Sequence, residues 1–264
     1  MLTEVKNNLK IMFLSIKYNI MRCMENNIAF TTSVISMIFN NATFIIQWIT
    51  LFGIKETIGG YTFNNVMLFW ALASGSAGLA HVLFNGVFSL PQYIEEGKLD
   101  SYLVMPKNVL CHVATSSTEP SAFGDLIYGY IALILFNFSI RNLLLFTILI
   151  IFGAIVYTSF CTIFYSINFY KYRFSLVTEA LRDVMINGML YPDVIFGKIA
   201  KLLFYTLIPA AFATWIPVHL IMSFNIMNFI ILLIFTVSIV IFTFIFFNRA
   251  LKNYSSSNLM GARS

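Results

Sequence analysis

The chain has 264 residues, of which 59% are hydrophobic and 10% are charged. A soluble domain of this size carries about a quarter charged residues, because its surface must be solvated. The composition therefore excludes a soluble globular protein and predicts an integral membrane protein whose outer surface contacts lipid. The net charge of +5 is spread along the chain, which argues against nucleic-acid binding.

The first segment, 1–22, has the pattern of a basic amphipathic helix. Apolar residues recur at i, i+3/i+4 spacing, and Lys6, Lys10 and Lys17 lie along one flank of that stripe. A helix of this kind lies in the headgroup plane of a membrane. The alternative is a soluble helix packed on another domain. Because lysines recur and long apolar segments follow, the segment is not predicted to be a cleaved signal peptide.

Long apolar runs follow, each able to cross a hydrocarbon core of about 30 Å as a helix. The boundaries are clear for five of them: 27–53, 63–88, 123–140, 143–169 and 226–248. Four polar residues interrupt the first run: Asn40, Asn41, Thr43 and Gln47. Such residues are expected to face another helix rather than lipid, where their hydrogen bonds would go unmade.

The region 174–225 allows two interpretations. In one, 174–191 is the fifth of six spans and 192–225 dips into the membrane from its outer face. In the other, 174–197 lies on the inner surface and 200–222 is the fifth span. Both interpretations give six membrane spans with the same orientation.

The distribution of basic residues predicts the orientation. With the N-terminus inside, the polar stretch 89–122 and the tail 249–264 are cytoplasmic, and only Lys55 and Arg141 lie clearly outside. Both termini are therefore predicted to be cytoplasmic. The charge distribution alone slightly favours the second interpretation of the fifth span, because that one keeps two further lysines inside.

Catalytic and metal-binding patterns are missing from the sequence. A phosphate-binding P-loop needs Ser or Thr after its Gly-Lys pair, but the two Gly-Lys pairs here precede Leu99 and Ile199. The histidines lie far apart and the cysteines show no paired spacing: His81, His112, His219, Cys23, Cys111 and Cys161. We therefore predict no catalytic residue, no metal site and no hydrolysis of ATP by this chain.

The polar stretch between the second and third runs contains two predicted short helices. Residues 91–96 can form a helical turn that Gly97 ends in the left-handed conformation. Leu99 and Leu103 would then lie on one side of a second short helix, which Pro106 stops. Two short helices with apolar and acidic residues exposed are suited to docking another protein. The alternative is an ordinary loop.

A sequence signature overlaps these short helices at ten positions: Gly97, Leu99, Asp100, Tyr102, Leu103, Pro106, Asn108, Leu110, Gly124 and Asp125. It resembles the "G-x-L-D-x-Y-L-x-x-P-x-N-x-L … G-D" signature of ABC-2 type exporter permeases, in the six-span branch often described as antibiotic or multidrug exporters. A second block, with Tyr191-Pro192, Ile208-Pro209 and Trp215-Ile216-Pro217, is similar to the segment before the last span of that family. Met105 departs from the family pattern, which usually has Arg before the proline.

The resemblance implies an all-α membrane protein with an N-terminal elbow helix over 1–22 and six spans. The fifth span is then 174–191, and 192–225 forms re-entrant helices before the sixth. The implied partners are two copies of a cytoplasmic ATPase subunit, which bind ATP and Mg, and a second permease that is identical or homologous. This chain itself is then expected to bind no cofactor.

The family's coupling helix, which sits in a groove of the ATPase, maps onto the loop between spans two and three. The implied ATPase-coupling residues are Gln92, Tyr93, Glu95, Glu96, Gly97, Lys98, Leu99, Asp100, Tyr102, Leu103 and Pro106.

The predicted fifth span carries four polar residues within an arc of about 140°: Thr178, Glu179, Arg182 and Asp183. A charge at mid-bilayer costs about 2.5–3.5 kcal/mol, so three would cost about 8–10 kcal/mol if they faced lipid. We therefore expect this face to line a substrate path, with Glu179 paired to Arg182 at i, i+3. The alternative is a surface helix with a solvated polar face.

The leading hypothesis is the permease subunit of an exporter in the bacterial plasma membrane, moving an amphipathic drug, peptide or lipid-like molecule. One alternative is a secondary transporter driven by an ion gradient, with Glu179 and Asp183 as proton carriers. Such folds usually show inverted repeats, and none is evident here. Another alternative is a membrane anchor or immunity protein that does not transport.

Overall fold

The computed structural model describes residues 2–105, 108–170 and 174–255. The described chain is helical, with α-helices at α1 (Leu2–Met24), α2 (Asn27–Ile54), α3 (Phe63–Phe84), α4 (Leu90–Glu95), α5 (Asp100–Leu103), α6 (Val109–Ala114), α7 (Ala122–Asn137), α8 (Ile140–Tyr165), α9 (Ser175–Leu190), α10 (Lys198–Thr206), α11 (Ile216–Met222) and α12 (Ile226–Leu251). Short 3-10 turns lie at Asn85–Val87, Ser166–Phe169 and Asp193–Ile195, and a π-helical turn at Ala211–Trp215 leads into α11.

In the described part of the chain, four helical segments are long and apolar enough to cross a membrane: Asn27–Ile54, Phe63–Glu95, Ile140–Phe169 and Ile226–Leu251. A fifth candidate consists of Lys198–Thr206 and Ala211–Met222, which meet at an angle of 81°. The prediction of an all-helical protein with several membrane spans is therefore confirmed. The count of six stays a prediction, because α7 and α9 have only 16 residues each.

The starts of the long helices follow from capping side chains. Asn26 accepts a hydrogen bond from the Ala29 amide at 3.1 Å, and Asn225 accepts one from the Met227 amide at 2.8 Å. Ser139 caps α8 in the same way, so α8 begins at Ile140, three residues before the apolar run 143–169. A cap of this kind stabilises a helix by about 1 kcal/mol.

Helix α3 forms the centre of the molecule. It packs against α7 and α8, and most of its residues are buried. A cluster of small residues at 74–78 lies in these contacts. A Cβ atom on Gly78 would lie 2.6 Å from the Leu126 nitrogen of α7, so only glycine permits this approach.

Helix α1 lies beside the loop that precedes α7. The Ser15 hydroxyl and the Asn19 amide donate hydrogen bonds to the Thr115 carbonyl at 2.6 and 2.9 Å. On the other side of α1, the apolar side chains of Leu9 and Phe13 are exposed. This placement agrees with a helix that has one face on the protein and another available to lipid.

Hydrogen bonds connect the bent pair formed by α10 and α11 to the end of α9. The buried indole of Trp215 donates to the Gly188 carbonyl at 2.8 Å and to the Tyr191 carbonyl at 3.2 Å. A bend of this size fits either a broken membrane span or a re-entrant segment, so both interpretations of 174–225 stay open at the level of the fold.

Candidate functional site

The turn between α4 and α5 has the predicted backbone. Gly97 adopts a φ of +70°. The Lys98 amide donates to the Tyr93 carbonyl at 2.9 Å, and the Gly97 amide donates to the Ile94 carbonyl at 3.4 Å. These two bonds form a Schellman motif, which ends α4 and fixes the direction in which α5 leaves. The prediction that Gly97 ends the first short helix is confirmed.

Apolar side chains hold this pair of short helices against the membrane helices. Leu90, Ile94 and Leu99 are buried, and α4 packs against α8 and against the turn Ser166–Phe169. The segment is therefore a fixed part of the fold rather than a loose loop. Backbone that is anchored in this way can transmit a displacement to the helices beneath it.

The outward side of the segment carries charged and amide groups, which together with Leu103 and Val104 we call the α4–α5 surface. The Gln92 amide donates to the Glu96 carboxylate at 2.7 Å, and the Lys98 ammonium forms an ion pair with the same carboxylate. The hydrogen bond from Lys98 lowers the pKa of Glu96, and Gln92 lowers it further. Glu96 in turn raises the pKa of Lys98. Both groups are therefore ionised over the physiological pH range.

An apolar tip ends the α4–α5 surface. Val104 is 84% exposed and Leu103 is 43% exposed. Leu99 is fully buried, which corrects the expectation that Leu99 and Leu103 share one docking side. Leu99 anchors the segment, because it lies just before α5 and points into the core. Pro106, also predicted to contribute, lies outside the described residues.

The remaining predicted coupling residues divide between the two sides of the segment. Asp100 is exposed, and Glu95 is half-buried. The rings of Tyr93 and Tyr102 are half-buried and stack with centroids 6.0 Å apart. The tyrosine pair therefore joins α4 to α5 from the inside.

The four predicted substrate-path residues of α9 differ in burial, so they do not all lie on one accessible side of the helix. Thr178 is buried and accepts a hydrogen bond from the Asn168 amide at 3.2 Å, so it packs inside the chain. Arg182 bonds to Asp183 at 2.9 Å, which corrects the expected pair with Glu179. One edge of the polar arc is therefore buried, because Thr178 packs beside the turn that follows α8.

The exposed side of α9 combines carboxylates with apolar groups. Glu179 and Asp183 are exposed there, next to Leu176 and Val184. Asn187 extends the polar row by one turn, and its amide donates to the Asp183 carbonyl at 2.8 Å. The sequence prediction missed Asn187, although its i, i+4 spacing from Asp183 was a usable signal.

A second polar cluster joins three separate segments near the end of α9. The Tyr61 hydroxyl donates to Asp193 at 2.8 Å and lies 3.3 Å from a ring nitrogen of His219. The Lys201 ammonium bonds to the other carboxylate oxygen of Asp193 at 3.2 Å. No local pattern predicted this cluster, because its members lie far apart in the sequence.

The Gly124-Asp125 pair of the signature lies against α2. The Asn41 amide donates to the Asp125 carboxylate at 2.6 Å. A Cβ atom on Gly124 would lie 2.5 Å from the Val34 carbonyl oxygen, so the glycine permits close contact of α2 and α7. The prediction that polar residues of α2 face another helix is confirmed for Asn41. Asn40, Thr43 and Gln47, by contrast, are exposed.

Among the described residues, no three His, Cys, Asp or Glu side chains gather into a group that could hold a metal ion. The three cysteines are free thiols, and Cys161 is buried.

The fold and these surfaces define a multi-pass, all-helical membrane protein. The chain belongs to the ABC-2 family: the family model described as "ABC-2 family transporter protein" matches residues 37–258. Proteins of this family form the membrane part of a transporter and lack an ATPase domain. No curated protein and no solved structure matches the chain significantly.

Proposed function

We propose that this chain is the permease subunit of an ABC exporter in the bacterial plasma membrane, driven by two copies of a separate cytoplasmic ATPase subunit. In this arrangement ATP and Mg bind the ATPase subunits. The chain crosses the membrane six times, with α7 and α9 as the third and fifth spans. Both termini lie in the cytoplasm, and a second permease completes the transporter.

The observation that carries the proposal is the α4–α5 surface. Its backbone is fixed by the Schellman motif and by buried Leu99, while its outer side offers charges and the apolar tip at Val104. Exposed apolar groups rimmed by charged groups are typical of a protein interface. Because the segment directly follows α3, the central helix, a push on it would reach the middle of the membrane domain.

The exposed side of α9 supports a path for amphipathic cargo. Glu179 and Asp183 supply polar contacts there, and Leu176 and Val184 supply apolar contacts. Charges in a membrane helix are costly beside lipid, so this side fits a hydrated cavity between two permeases. We propose that the cargo is a drug, a peptide or a lipid-like molecule with both polar and apolar parts.

The test is co-purification of the full-length chain from native membranes, comparing the wild type with a Val104→Asp variant. The wild type should retain an ABC ATPase subunit. The variant should lose most of it, because a carboxylate in an apolar contact must be desolvated. Val104 is 84% exposed, so the substitution should not unfold the chain.

Val104→Ile is the matched control and should retain the ATPase. Transport of cargo by vesicles that hold only this chain would contradict the proposal. If that transport stopped on Glu179→Gln or Asp183→Asn substitution, the ion-driven transporter would be the correct alternative.

A further inference from the structure

Helices α2 and α12 are equally peripheral but have different exposed sides. Each buries only 17% of its most apolar stretch against the rest of the chain. Between residues 226 and 247 of α12, all of them described, Ser238 is the one exposed polar residue. Between residues 28 and 54, α2 exposes seven polar residues. The exposed side of α12 is therefore suited to lipid, whereas the polar part of the exposed surface of α2 is not.

Most of the exposed polar residues of α2 lie in one seam along its length. Small and amide side chains recur with alternating spacings of four and three residues, which places them within an arc of about 100°. The seam consists of Ala29, Ser33, Ser36, Asn40, Thr43, Gln47 and Thr50. All of these residues are exposed except Ser33, which is partly buried. The seam lies about 130° around the helix from Asn41, which faces α7.

The threonine hydroxyls of the seam are hydrogen-bonded within α2, but the amide groups are not bonded to oxygen or nitrogen. Thr43 and Thr50 donate to carbonyls of their own helix at 2.6 and 3.0 Å. The Asn40 amide reaches only the Met37 sulfur, at 3.9 Å. Gln47 has no hydrogen bond within the described part of the chain. Amide groups left unpaired beside lipid would be strongly unfavourable, so they need a partner outside this protomer.

We infer that the seam pairs with the α2 seam of a second copy of this chain. Spacings of four and three residues give the 3.5-residue repeat of two helices that wind around each other. Two copies inserted with the same orientation are related by a two-fold axis along the membrane normal, so their α2 helices run parallel. Each position then meets its own counterpart across the axis.

Self-pairing suits the chemistry of the seam residues. An amide carries both donor and acceptor, so Asn40 can bond to Asn40 of the partner subunit, and Gln47 can do the same one heptad further along. A charged residue at these positions would repel its copy, and the seam has none. Small residues between the amides allow the backbones to approach closely.

The inference deepens the proposed function, on which it rests for the expectation that two permeases pair, and it selects an identical partner. It also assigns separate roles to two sides of the chain. The seam of α2 holds the pair together, while the charged side of α9 remains available to cargo.

The test is disulfide cross-linking of full-length variants in native membranes that carry one accessible cysteine each, with Cys23 and Cys111 replaced by serine and the buried Cys161 kept. Ser36→Cys, Asn40→Cys, Thr43→Cys and Gln47→Cys should give covalent dimers. Ile35→Cys and Ile49→Cys, exposed on another side of the same helix, should not. Equal cross-linking at all six positions would overturn the inference. The inference would also be overturned if the seam cysteines did not cross-link. Labelling by a membrane-impermeant maleimide would then show that they face a water-filled path, and no labelling would show that they face lipid.

A second measurement keeps the inference falsifiable if the cysteine variants fold poorly. Asn40→Leu and Gln47→Leu should each weaken dimerisation by about 3- to 30-fold, the effect of one or two hydrogen bonds between membrane helices. Ile35→Leu should have no effect, and unchanged dimerisation in both amide variants would contradict the pairing. ATPase co-purification is followed in parallel. If the ATPase is retained but the seam cysteines do not cross-link, only the α2 pairing is refuted. If the ATPase is lost while cross-linking persists, only the proposed function is refuted.

Discussion

Gly97 illustrates how a single backbone conformation shapes the α4–α5 surface. Its φ of +70° lies in the left-handed region, where a Cβ atom is unfavourable. The Schellman bonds that follow require this conformation. The direction of α5, and hence the position of the apolar tip, therefore depends on one residue.

Replacing Gly97 by alanine should destabilise this turn by about 1–2 kcal/mol, because alanine pays the cost of the left-handed conformation. We expect faster proteolysis within 92–105 and weaker retention of the ATPase. Gly53→Ala is the control: Gly53 lies inside α2 without a positive φ, and no atom lies within 4 Å of an added Cβ. Identical proteolysis of the two variants would show that the turn does not depend on Gly97.

Asn40 and Asn41 are neighbours with different surroundings. Asn41 is 7% exposed and donates to Asp125, whereas Asn40 is exposed. Asn41→Leu leaves a largely buried carboxylate without its hydrogen bond, so we expect a loss of about 1–3 kcal/mol in stability. Asn40→Leu should leave the thermal stability of the detergent-solubilised monomer unchanged. Thermal unfolding of both variants measures this difference, and equal melting temperatures would contradict it.

The packing of α3 against α7 depends on contacts between backbones. At Gly78 the α7 backbone lies so close that no side chain fits, and at Gly129 the Ala71 carbonyl oxygen lies 2.8 Å from an added Cβ. Glycine thus brings the two helices into van der Waals contact, which replaces the hydrophobic driving force that is weak inside a membrane.

A Gly78→Ala substitution should therefore cost about 1–3 kcal/mol, as expected for overpacking of a rigid contact. The measurement is the thermal stability of the purified chain in detergent. Gly53→Ala again serves as the matched control, because it adds the same methyl group to an open side of a helix. Unchanged stability of the Gly78 variant would mean that α3 and α7 can separate at little cost.

The whole molecule has two polar ends that the proposed topology assigns to opposite sides of the membrane. The α4–α5 surface lies at one end, and the cluster of Tyr61, Asp193, Lys201 and His219 lies in the segments predicted to be outside. In this topology Val104 is cytoplasmic and Ile195 is external, and both side chains are exposed.

Labelling of Val104→Cys and Ile195→Cys by a membrane-impermeant thiol reagent tests this topology. Val104→Cys should be labelled only in inverted vesicles, and Ile195→Cys only in right-side-out spheroplasts. The two variants are controls for each other. Labelling of both from the same side would contradict the six-span arrangement, because the positions would then be separated by an even number of crossings.

The sequence alone was enough to predict a helical protein that resides in a membrane, because those properties depend on composition and on the length of apolar runs. It also determined the Gly97 turn, which follows from local backbone preference. The resemblance to ABC-2 permeases was likewise readable from the loop signature, and the family match to residues 37–258 confirms it at the level of the family.

Which side chains are buried and which are accessible depends on how the helices pack together, and sequence patterns did not reveal it. Leu99 and Leu103 look equivalent in the sequence, as do Asn40 and Asn41, yet one of each pair is buried. Arg182 forms its ion pair with Asp183 rather than with Glu179, and Thr178 is buried inside the protein. Helical periodicity gives the angle between two side chains, but the rotation of the helix against its neighbours is fixed by long-range packing.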